Sequence, residues 1–346
     1  MNKSNFNDML SRDEKQQLRK RIMQSALLVK KRKSIKRFYF AAASVVFFIG
    51  IAIFIQFSSQ ESLEEYVGSA PAMDIKAVDG VTLILGSGDN LNLDEENMTI
   101  EYSDTGEEVK LGSGKTVKQK TVKNNESLFN TILVPYGKRT DLRLSDGTIV
   151  WLNSGSKMIY PAVFTGETRE VFLEGEAIFD VTHNAQMPFK VRSSHQEIEV
   201  LGTVFNVNSY QDDKLKFTVL KSGSVQINYS DKEIKGVRLK PGTLASYNPE
   251  TKEAVTKEVN INNFFSWKDG FLNFEKDNLE FIMTKLSRYY NVEIEIANEE
   301  LANQTFSGHL DLKEDVEKVL GLIRETSNFN MDKSPKGKIL ITNQTN

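Results

Sequence analysis

The chain has 346 residues and sets 44 Lys and Arg against 47 Asp and Glu, a formal net charge of −3. It contains no cysteine, which excludes disulfides, thiolate catalysis and Cys-ligated metal. The near-neutral total hides a basic first segment and an acidic remainder, so net charge alone says little about partners.

Residues 1–37 form a basic arm that ends in a dense run, Lys30, Lys31, Arg32, Lys33, Lys36 and Arg37. Ser11 followed by Glu14 fits a capping box, the serine accepting from an early helical amide while the glutamate reaches back. Beyond it Leu18, Ile22, Ala26 and Val29 share one side of a helical wheel, opposite Lys and Arg. An amphipathic basic helix of this kind lies on anionic lipid, serves only as a topogenic signal, or binds a partner through its apolar stripe. Direct nucleic-acid binding is disfavoured, because a single helix tied to a membrane has no scaffold to set it in a groove.

Residues 38–57, FYFAAASVVFFIGIAIFIQF, carry no charge. Roughly 20 apolar residues at about 1.5 Å each span a hydrocarbon core, and their Phe, Ile and Val content favours insertion by several kcal/mol. A signal peptide has a shorter apolar run with a close small-residue cleavage site, whereas SAPA at Ser69 to Ala72 stands well downstream. The reading is therefore an uncleaved transmembrane helix. Bases before it and Glu61, Glu64, Glu65 and Asp74 after it place the N-terminus in the cytoplasm. The bulk of the chain is then exported, and it is long enough for two packed domains.

After the span the pattern has period two. In residues 58–127, Val81, Leu83 and Leu85, then Leu91 and Leu93, then Met98, Ile100 and Tyr102 alternate with other residues, as hairpin strands do. In residues 128–259 the strands come closer together: Leu142 to Pro161, Val171 to Val181, Phe189 to Ser193, Ile198 to Tyr210 and Phe217 to Ile227, punctuated by Asp146-Gly147, Ser154-Gly155 and Pro241-Gly242. Such spacing predicts an all-β sandwich, roll or solenoid of short strands. Gly147, Gly155, Gly175, Gly202 and Gly223 supply positive φ or close approach, and Trp151, Phe179, Phe205 and Trp267 read as core aromatics.

Residues 260–346 change again. A strand at Phe271 to Phe274 precedes a helix from Asn278 to Tyr290 with Leu279, Ile282, Met283, Leu286 and Tyr290 on one face. A strand at Val292 to Ile296, another at Thr305 to Leu312, a helix from Glu314 to Thr326 and a last strand at Lys338 to Thr342 follow. This order predicts a small α+β domain, βαβ-βαβ-like, with two helices on one face of a mixed sheet.

The run PYGKRTDLRLSDGTIVWLNSGSKMIYPAVF, with EGEAIFDV and LGTVFNV after it, resembles the FecR periplasmic domain. The segment Trp267 to Ile296 with FSGHL at Phe306 to Leu310 resembles the C-terminal domain that accompanies FecR in Bacteroidetes-type proteins, itself similar to the short domain of secretins and TonB-dependent transducers. The resemblance covers about Leu128 to Thr342. It implies a single-pass anti-sigma factor in the bacterial inner membrane. Its cytoplasmic arm would bind an extracytoplasmic-function sigma factor, here through Leu18, Ile22, Ala26 and Val29. Its periplasmic end would bind the signalling domain of a TonB-dependent outer-membrane transducer somewhere within Trp267 to Thr342. The arm is shorter than is common in the family and offers about one helix, marginal alone and expected to fold on its sigma partner or on lipid.

Other function classes find little footing. His183, His195 and His309 are far apart and form no ligand pair, so no catalytic, metal or cofactor residue is assigned. GSG at Gly86 to Gly88 and Gly112 to Gly114 reads as hairpin turn. The alternative is a membrane-tethered periplasmic module for glycan or an envelope protein, which requires exposed aromatics or an open cleft on the strand-rich part.

Overall fold

In a computed structural model the described residues are 11–26, 47–51, 62–70, 75, 78–93, 99–112, 114–123, 126–327, 329–335 and 337–344. The chain divides into two units, Met1–Gln60 and Glu61–Asn346. In the first, residues 12–26 are helical, and so are 47–51. The rest of the predicted span 38–57 lies outside the described residues, and among the described residues no helix is long and apolar enough to cross a membrane.

In the second unit, 18 strands form one hydrogen-bonded sheet that curls into two facing layers. Asn90–Leu93, Val81–Ile84, Phe129–Val134 and Ser156–Pro161 lead into the first half of the long strand Arg169–Asp180. The layer continues through Phe189–Arg192, Gln196–Val200, Val225–Tyr229 and Val237–Leu239. The second layer runs from Lys115–Lys118 through Glu108–Leu111, Thr99–Tyr102, Thr140–Arg143 and Ile149–Leu152 to the second half of the same long strand. Val204–Ser209, Lys216–Ser222, Thr243–Asn248 and Glu253–Glu258 complete it. Of the three predicted all-β architectures, this is a roll.

The chain changes layer at glycines. Lys157 pairs with Glu174 in one layer, and Gly175 pairs with Ser209 in the other. Gly175 sits at φ +110 with the Ser156 backbone so close that a Cβ would come within 2.6 Å of its Cα, a corner open to glycine alone. Gly202 has no such φ, but a Cβ there would stand 2.6 Å from His183 Cα. Between the layers lies one core, to which Leu83, Ile132 and Met158 contribute from one side and Leu142, Phe179 and Phe205 from the other. Phe179 and Phe205 stack at 5.2 Å.

Five strands of residues 58–127 belong to the same roll, while the short strands Val122–Lys123 and Glu126–Ser127 pair with each other in a separate hairpin. Val81–Ile84 pairs with Phe129–Val134, and Thr99–Tyr102 pairs in parallel with Thr140–Arg143. A buried polar knot fastens them: Asn130 Nδ2 donates to the Tyr102 hydroxyl at 2.9 Å, Gly86 N–H donates to Asn130 Oδ1 at 2.8 Å, and the Tyr102 and Tyr160 hydroxyls meet at 3.0 Å. Every partner in the knot gains one, which makes burying these polar groups tolerable. Ahead of the strands stands a helix that the period-two reading misses, Leu63–Ser69. It is closed by a Ser62–Glu65 capping box, and Leu63 is buried against Phe129 and Ile159.

The C-terminal elements appear where the sequence predicts them: Leu279–Tyr290 and Val316–Glu325 are helices capped by Asn278 and Asp315. The sheet differs from expectation. Phe271–Asn278 pairs with Thr305–Asp311, with a register shift near the positive-φ residue Lys276, while Ile339–Asn343 is flanked by Ile294–Ile296 and Phe329–Lys333. There are thus two small sheets instead of one mixed sheet. Leu272 and Leu310 of the first, Ile339 and Ile341 of the second, and the apolar stripes of both helices share a single core.

Candidate functional site

Two places merit attention, the arm helix and the seam between the roll and the C-terminal domain. In the arm the capping box forms as read: Ser11 N–H donates to Glu14 Oε2 at 2.8 Å, and Glu14 N–H donates to Ser11 Oγ at 3.3 Å. Hydrogen bonds from Ser11 hold the Glu14 carboxyl below its ordinary pKa. Leu18 and Ile22 are 50% and 58% exposed, Met23 is 70% exposed, and Ala26 is exposed as well. Val29 lies outside the described residues. Leu18, Ile22 and Ala26 are therefore uncovered among the described residues of their own unit.

The seam is built on the outer face of the second layer. Alternation along the strands turns Phe179 and Phe205 inward, which sends Ile178, Asn206 and Glu176 outward. Ile178, Phe217, Val219 and Leu244 there form an apolar patch covered by Phe265 and Trp267 of the connecting segment, with Trp151 packed at its margin. Trp267 is a core aromatic as predicted, but the core it serves is the domain junction, and Trp151 is only half-buried at the margin of that core. Asn206 Nδ2 donates to Phe264 O at 2.8 Å.

A charged cluster closes the end of this patch. Glu176 is 1% exposed and accepts from Asn153 Nδ2 at 2.8 Å and Asn206 Nδ2 at 3.1 Å, with Lys285 Nζ at 3.7 Å. Arg288, on the helix Leu279–Tyr290, reaches across to the roll. Its Nη2 donates to Asp212 at 2.8 Å and Asp213 at 2.6 Å, and its guanidinium lies 3.8 Å above the Tyr210 ring. Burial opposes the Arg288 charge, yet its hydrogen bond to Asp213 and the surrounding negative charge more than offset this and hold its pKa above the ordinary value. Burial, and then the Glu176 charge, raise the Tyr210 phenol well above its usual range; its hydroxyl donates to Ser154 O at 2.6 Å.

The loop that receives Arg288 is itself pinned. The buried Lys216 ammonium donates to the carbonyls of Tyr210, Gln211 and Asp213. On the other flank, Gly137 N–H donates to Arg288 O at 2.8 Å and the Arg139 guanidinium sits 3.8 Å over the Tyr289 ring. Among the described residues the buried donors Trp267 Nε1 and Arg288 Nε meet no acceptor. They border a cavity of about 20 Å³ that Tyr210, Glu176 and Lys285 also line, the room of one water.

These contacts gather several of the motif segments that carried the resemblance, PYGKR, NSG, EGE and WKDG, at one junction. Sequence reasoning assigned no role to Arg288, Asp213 or Glu176. For the stretch Trp267 to Thr342 the structure shows Trp267 buried and Leu322 exposed, and leaves Ile294–Ile296 and Phe329–Lys333 as the outer strands of their sheet. Lys338 bridges Glu293 at 2.8 Å and Glu295 at 2.5 Å beside one of them. Among the described residues no group of three or more His, Asp or Glu stands close enough to hold a metal.

Known proteins add the following. The FecR protein family model matches residues 130–226, and the FecR C-terminal model matches residues 271–341. Two crystal structures of a candidate anti-sigma factor from Parabacteroides distasonis, at 2.50 Å and 1.65 Å, are each 30% identical to the chain. The first superposes with a TM-score of 0.59 over 63% of this chain and 100% of that one, the second with 0.58 over 62% and 99%. No curated protein matches the chain.

Proposed function

Because this chain belongs to the FecR family of anti-sigma factors, we propose that it is a single-pass inner-membrane regulator that controls an extracytoplasmic-function sigma factor. In this reading the arm is cytoplasmic and the unit Glu61–Asn346 is periplasmic, where it receives a signal from a TonB-dependent outer-membrane transducer. The observation that carries the proposal is the capped arm helix with Leu18 and Ile22 half or more exposed. An amphipathic face left exposed among the described residues of its own unit suits a helix-in-groove partner. The membrane assignment rests on the uncharged run 38–57 and the basic residues before it.

The seam bears on how a signal is passed. Arg288, Trp267 and the loops they meet join the C-terminal domain to the roll, so a transducer domain landing anywhere on Trp267 to Thr342 loads both together. To shift the regulator, the transducer must bind one arrangement of this unit better than another. No covalent chemistry is asked of the chain. The glycan-module alternative gains no support, since among the described residues of the roll every aromatic side chain is buried or half-buried.

Replacing Ile22 and Val29 with aspartate tests the proposal in cells. Each lost apolar contact is worth about 1.5–3 kcal/mol on burial, so sigma binding should weaken at least about 100-fold. Transcription of the sigma-dependent operon should change while membrane insertion and the protease resistance of the exported unit stay the same. Unchanged transcription with the variant correctly inserted would count against the arm as the sigma-binding element.

A further inference from the structure

The strand Glu253–Glu258 closes the second layer of the roll. It is hydrogen-bonded to Thr243–Asn248 on one side, and among the described residues no strand pairs with its other side. All of its residues are exposed, Val255 to 55%. A six-residue edge with both faces in water is a template for another strand, and proteins ordinarily guard such edges with charge. Here the charges do more than guard.

Val259 N–H donates to Gly242 O at 3.0 Å, which sets the phase of the ladder. Glu253, Val255 and Lys257 turn their backbone groups toward the neighbouring strand, and Ala254, Thr256 and Glu258 turn theirs to the open edge. An incoming antiparallel strand must match outward residues to outward residues. If that strand is the same segment of a second copy, a two-fold axis through Val255 satisfies the condition. Ala254 then faces Thr256 in a hydrogen-bonded pair, and Val255 faces Val255 on the axis. Glu253 meets Lys257 twice, once on each side of the axis. Sliding by the next permitted step, either way, sets Glu253 or Lys257 against a residue of no opposite charge. Like charges facing across strands are destabilising and opposite charges favourable, so among self-pairings the charges favour this register.

We infer that this open edge is a contact between two copies of the chain, paired antiparallel about Val255. The native sequence has no cysteine, so Val255→Cys in the full chain places a single thiol on the axis. Facing Cα atoms in a non-hydrogen-bonded pair lie about 4.5 Å apart, within disulfide reach. Mild oxidation of membranes carrying this variant should give a covalent dimer. Adding Glu253→Lys or Lys257→Glu alone should reduce its yield about tenfold, because each turns two attractive pairs into repulsive ones. Combining both in one chain, or mixing the two single variants, should restore it. No dimer from Val255→Cys, or a dimer whose yield ignores these charges, would overturn the inference; an unchanged unfolding midpoint in each variant shows that the fold is intact.

Discussion

Replacing Arg288 with alanine is expected to weaken the hold of the C-terminal domain on the roll by about 3 kcal/mol, and the chain's own tryptophans should report it. Arg288 is 5% exposed and Asp213 is largely buried beside it. Removing the guanidinium leaves that carboxylate facing a low-dielectric seam without its partner and strips the cation from the Tyr210 face. Asp212 is well exposed and loses little. Arg288→Lys should not restore the contact, because an ammonium has no planar face to lie on the Tyr210 ring while it donates to the two carboxylates. The chain has two tryptophans, and both Trp151 and Trp267 pack in the seam. Urea titration followed by tryptophan emission should therefore show the seam opening at a lower midpoint in both variants. A midpoint shift equivalent to less than about 0.5 kcal/mol of stability would mean that the apolar patch alone holds the domains together.

Gly175→Val should be more damaging still, costing more than about 4 kcal/mol. The new side chain would need φ near +110 and would press on Ser156, whose Oγ both accepts from Glu176 N–H at 2.9 Å and donates to Glu176 O at 3.0 Å. Neither side can yield without breaking the corner where the long strand passes between layers. The expected outcome is a chain that accumulates unfolded or is degraded. Native-like abundance and an unaltered unfolding midpoint would show that the strand can turn this corner another way.

Much of this was legible in the sequence. The alternation of Val171 to Val181 predicts a strand, and the stripe Leu279, Ile282, Met283 and Leu286 predicts the buried face of its helix. The change of layer within the strand Arg169–Asp180 was hidden, because alternation is the same on both sides of Gly175 and only the glycine hints at a corner. The helix Leu63–Ser69 carries the same capping-box signal as the arm, Ser62 with Glu65, but seven residues are too few for an apolar stripe to show beside it. The single mixed sheet expected at the C-terminus failed because pairing between short strands depends on contacts that no local period encodes. Arg288 was the least legible of all. Its partners Asp212 and Asp213 are 76 and 75 residues away, and on the helix it reads as one more solvated charge. The motif loops offered the available hint, since PYGKR and WKDG both meet at the seam.

On the proposed function, one short amphipathic helix suffices to engage the sigma factor. The direct measurement is capture of the purified sigma factor encoded nearest this gene by the full chain in detergent micelles, with the Ile22→Asp, Val29→Asp double variant as control. Stoichiometric capture by the native chain is expected, with a loss of at least about 100-fold in affinity in the variant. Absence of capture by the native chain, or equal capture by both, would contradict it.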